Sequence, residues 1–63
     1  MLHGKQIQVF TGSGFQICTV ESGYREPFPF RARSQDNKCQ VYFNLKTTER
    51  LQSGKKVPGI KLL

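Results

Sequence analysis

Tryptophan is absent from this 63-residue chain, histidine occurs once, cysteine twice, and only four side chains are acidic. Each scarcity removes a class of chemistry. With His3, Cys18 and Cys39 as the only soft donors, a zinc site of four Cys and His ligands cannot be completed within one chain. No Cys-x-x-Cys occurs, and 20 residues separate the two cysteines. They read as reduced thiols serving as small apolar side chains, with a disulfide between neighbouring strands as the alternative. Hydrolysis needs a nucleophile, a base and a group that orients the base. His3 stands in a terminal segment expected to fray. The acids Glu21, Glu26, Asp36 and Glu49 fall at turns or strand ends, with no pair forced into one cleft. Ser53-Gly54-Lys55-Lys56 lacks the first glycine of a phosphate loop and its final hydroxyl residue. The expectation is a chain that binds rather than catalyses, with no metal and no cofactor.

Long apolar runs are missing too. Nothing approaches the roughly 18 residues of a membrane span, and the opening Met1-Leu2-His3-Gly4-Lys5-Gln6 lacks the apolar stretch of a secretory signal. A cytoplasmic chain with no membrane partner is expected. A domain of this length buries only about 60% of the surface its unfolded chain exposes. Residues 1–63 therefore form one small domain, without a large interior cavity. Five Phe and two Tyr among 37% apolar residues argue against disorder.

Positive charge is what the sequence has in excess. Ten Lys and Arg against four acids give +6. Residues 1–20 contribute only Lys5, whereas residues 50–63 hold Arg50, Lys55, Lys56 and Lys61 and no acid. A second basic feature is Arg31 with Arg33. This balance favours a polyanionic partner or an acidic protein face, although +6 also lies within the range that simply keeps a small domain soluble.

Four stretches alternate with period two, as half-buried strands do. Ile7 and Val9 oppose Gln6 and Gln8; Phe15, Ile17 and Thr19 oppose Gln16, Cys18 and Val20. Phe28, Phe30 and Ala32 alternate with Pro29, Arg31 and Arg33, and Cys39, Val41, Phe43 and Leu45 with Gln40, Tyr42 and Asn44. A fifth strand over residues 57–63 is interrupted by Pro58-Gly59, which suits an edge. The segment 46–53 has no alternation. It is expected to form a short helix, near residues 47–53, capped by Thr47 or Thr48 and ended by Gly54; a hairpin turning at Ser53-Gly54-Lys55 is the rival. The fold class is thus all-β and mainly antiparallel, a small five-stranded barrel or meander of the OB or SH3-like kind with one short helical turn. Such folds often present a strand face to single-stranded nucleic acid. No family signature covers any stretch.

The third and fourth strands permit a register. A loop at residues 35–38 sets Ala32 against Val41, Phe30 against Phe43 and Phe28 against Leu45 on one face. On the other face Arg33 meets Gln40, Arg31 meets Tyr42 and Pro29 meets Asn44. That second face combines guanidinium, aromatic and amide groups suited to phosphate, base and sugar; a solvated strand face with Arg31 stacked on Tyr42 is the competing reading. Phe15, beside Gly12-Ser13-Gly14, reads as core before it reads as a stacking platform.

The expected function is a small nucleic-acid-binding module, for single strands or in a regulatory role. Arg31, Arg33, Tyr42 and Gln40 form its platform, and Lys55, Lys56 and Lys61 hold phosphates. The alternative is an inhibitor or adaptor that docks an acidic partner protein by the same cationic face or a strand edge. Edge strands in so small a domain also make a homodimer an expectation.

Overall fold

Five strands and one helix form within residues 2–63, the part of the chain that the computed structural model describes. They are β1 (Gln6–Thr11), β2 (Gly14–Ser22), β3 (Phe30–Ser34), β4 (Gln40–Phe43), α1 (Leu45–Gln52) and β5 (Ile60–Leu62). All strand pairs are antiparallel, in the order β4-β3-β2-β1-β5. The sheet is an open meander extended by one strand, with β4 and β5 as its edges; no ladder joins them among the described residues. No helix there is long and apolar enough to cross a membrane.

Turn chemistry sets the meander. Gly12-Ser13 link β1 to β2, and the Thr11 hydroxyl donates to the Gly14 carbonyl at 2.8 Å. Between β3 and β4, Asn37 takes the left-handed conformation expected of Asn or Asp in that loop, at φ 62°. The Asp36 carboxylate accepts from the Ser34 hydroxyl at 2.6 Å and the Lys38 amide at 3.1 Å, which holds its pKa below the ordinary value. The expected register follows: Phe30 pairs Phe43, Arg31 pairs Tyr42, Ala32 pairs Val41 and Arg33 pairs Gln40.

The hairpin stops sooner than the alternation implies. Phe28–Leu45 and Pro29–Asn44 do not pair, because β3 begins at Phe30 and Asn44 leaves the ladder to cap α1. Its side-chain oxygen accepts from the Thr47 amide at 2.9 Å and the Thr47 hydroxyl at 3.0 Å. Phe28 and Leu45 are therefore exposed. The helix thus spans residues 45–52 rather than 47–53, and the rival hairpin does not form. Thr48 is no cap; it is buried, donating to the Leu45 carbonyl at 2.7 Å. Gly54, at φ 79°, ends the helix as expected. Its amide donates to Leu51 at 3.2 Å and that of Lys55 to Arg50 at 2.9 Å, the paired bonds of a Schellman motif.

The core collects one face of the sheet. Ile7, Val9, Cys18, Val20, Ala32 and Phe43 are buried, covered by Leu51 of α1 and Leu2 of the N-terminal segment. That segment is pinned rather than frayed: Gly4 donates to the Val20 carbonyl at 2.8 Å and Val20 to that of Lys5 at 2.9 Å. His3 Nδ1 lies 3.0 Å from the Ser22 hydroxyl. Cys18 pairs with Ser34, and Cys39, just before β4, accepts from the Ser34 amide at 2.9 Å. Both thiols are free, so the alternative of a disulfide between neighbouring strands is not realised.

Candidate functional site

The seven residues expected to bind separate into two groups at opposite ends of the sheet. Arg31, Arg33, Gln40 and Tyr42 share the outward face of β3 and β4, as their register requires. The two arginines are already engaged. Arg31 Nη2 lies 2.7 Å from Glu21 Oε1, and Arg33 Nη2 lies 3.0 Å from Glu21 Oε2. Their Nε groups donate to Oε1 as well, at 3.0 and 3.2 Å. Arg33 Nη1 also donates to Asn37 Oδ1 at 2.7 Å. Hydrogen bonds from Arg33 and then Arg31 hold the Glu21 carboxyl down to about 2. The cluster of two cations and one anion retains one net positive charge.

Arg31 does not stack on Tyr42, the cross-strand arrangement considered for it. Its guanidinium lies over the ring of Tyr24, 4.8 Å from the centroid. Tyr24 meets Tyr42 edge to face at 5.5 Å. Gln40 donates to the Asn37 carbonyl at 3.2 Å. Glu21 continues the alternation of Phe15, Ile17 and Thr19, but alternation alone does not say that this face of β2 is the one shared with the arginines, and only the pairing of Glu21 with Arg31 shows it. Tyr24, in the β2–β3 connection, gave no periodic signal.

Lys55, Lys56 and Lys61 come together at the other end. They line an open groove of about 800 Å³ between the C-terminus of α1, the turn before β5 and the tip of the β1–β2 hairpin. The Schellman motif sets where Lys55 leaves the helix, and Arg50 Nη2 donates to the Lys56 carbonyl at 2.9 Å. The Phe10 amide donates to the Gly59 carbonyl at 2.7 Å, fastening the turn to the end of β1. Lys61 follows on β5, opposite Gln8. Among the described residues, no acidic side chain lines the groove.

Phe10 and Phe15 complete the lining. They are a cross-strand pair with ring centroids 5.1 Å apart and planes at 69°. They are 55% and 60% exposed, so the core role expected for Phe15 is overturned. The reason is that both faces of β2 carry apolar residues. Cys18 and Val20 match Ile7 on β1 and Ala32 on β3 and take the buried face, which turns Phe15 and Ile17 outward. Three ammonium groups and two exposed rings on one acid-free groove offer what a polyanion with planar apolar groups would use.

No family model, curated protein or solved structure matches the chain.

Proposed function

We propose that this protein is a small nucleic-acid-binding module that takes single strands in the groove between α1, β5 and the β1–β2 tip. The observation that carries the reading is the convergence of Lys55, Lys56 and Lys61 with the exposed Phe10 and Phe15. Ammonium groups neutralise phosphates without reading sequence, and ring faces accept any base. The chain acts by binding and not by chemistry. Arg31 and Arg33, held by Glu21, contribute a weaker positive field, with Tyr42 and Gln40 beside them at the far end of the sheet.

The test is a fluorescence-anisotropy titration of a short single-stranded oligonucleotide at several salt concentrations. Saturable binding that weakens log-linearly with salt is expected, by about 0.7 in log K per log salt for each phosphate contact. No saturable binding at ~50 mM salt, where polyanion contacts are strongest, would remove this function and favour an acidic protein as the occupant.

A further inference from the structure

We infer that the groove selects flexible, weakly stacked single strands such as oligopyrimidines, because its two rings hold neighbouring bases at a steep angle. The inference rests on the function proposed above and concerns what the same groove prefers. Phe10 and Phe15 stand at 69° to one another, and each is more than half exposed. A base stacks when its plane lies parallel to the ring beneath it. Two successive bases resting on these two rings are then about as steeply inclined to each other as the rings are.

Neighbouring bases in a duplex or in a stacked oligoadenine are nearly parallel. Reaching both rings requires their stack to open. Oligothymine has little stacking to lose and a flexible backbone, so it enters without that cost; preferences of this origin are modest and need no base-edge hydrogen bonds. The lysines are indifferent to the distinction. Lys55 and Lys56 flank the turn and Lys61 projects from β5, so phosphates are met along the strand whatever its bases.

The experiment compares single-stranded dT and dA oligonucleotides of about eight nucleotides in the same anisotropy assay, with the wild-type protein and Phe15→Leu. The wild type should favour dT by roughly threefold or more. Phe15→Leu should bind dT roughly tenfold more weakly and lose most of the preference, with its salt slope unchanged. Phe15 is exposed on the outward face, so the variant keeps its fold, which circular dichroism checks directly. Equal affinities for dT and dA, or a preference for dA, overturn the inference and leave the proposed function standing. A dT preference that survives Phe15→Leu also overturns it, since the rings are then not its source. Failure of both oligonucleotides to bind overturns the inference and the function together.

Discussion

Glu21 bears on stability through two arginines, and its effect has a definite pH window. Its carboxyl has an ordinary value of 4.5 and sits at about 2 in the folded chain. The unfolded state therefore binds the proton first as pH falls. The stabilisation is complete above pH 4.5 and is lost as pH drops through about 2. Glu21→Gln should lower the thermal midpoint at pH 7 and flatten the acid limb of stability against pH. Thermal melts by circular dichroism at several pH values check this, and an unchanged midpoint and acid limb would contradict it. Cys18 gives the opposite limb. Burial first, and then the neighbouring Cys39 thiol, push its pKa from 9.0 to about 11. The unfolded state loses this proton first as pH rises, so stability falls from about pH 9 through about pH 11. A Cys18→Ala variant, though less stable overall, should lack that part of the alkaline decline.

At the scale of elements, most of the sheet was legible and most of the helix start was not. Strict alternation identified β1 to β4, and the Asp36-Asn37 loop fixed the Phe30–Phe43 register, because an antiparallel slip of one residue reverses every side chain. Alternation cannot say where pairing stops. Asn44 fits the outward face of a strand as well as it fits a cap, and only the hydrogen bond to Thr47 decides between them. Nor can alternation say which of two apolar faces of β2 is buried, which is why Phe15 reads as core from its sequence. The aromatic half of the groove was hidden by that ambiguity, whereas its lysines stood out as an acid-free run. The packing itself makes graded predictions. Phe43 is 5% exposed and stacks on Phe30 at 6.0 Å, so Phe43→Ala should cost about 3 kcal/mol or more. Asn44→Ala removes the cap of α1 and should cost about 1 kcal/mol. Denaturant titration ranks the two, and equal losses would mean that the sheet and helix assignments carry the wrong weights.

For the whole molecule, the relevant asymmetry is between a basic patch neutralised by its own carboxylate and a basic groove without one. Both ends of the sheet carry cations, but among the described residues only Arg31 and Arg33 have an anion between them. The groove end joins its lysines to exposed rings, and the proposed binding activity belongs there. Tyr42→Ala, at the other end, should therefore leave oligonucleotide affinity nearly unchanged. The most direct measurement is the salt dependence of oligonucleotide affinity for the wild type and for Lys55→Ala/Lys56→Ala, both lysines being exposed and free to change without unfolding the chain. Loss of two phosphate contacts should flatten the log–log slope by about 1.4, nearly irrespective of base sequence. An unchanged slope in the double variant, with wild-type binding intact, would show that the phosphates lie elsewhere and would contradict the assignment of the groove.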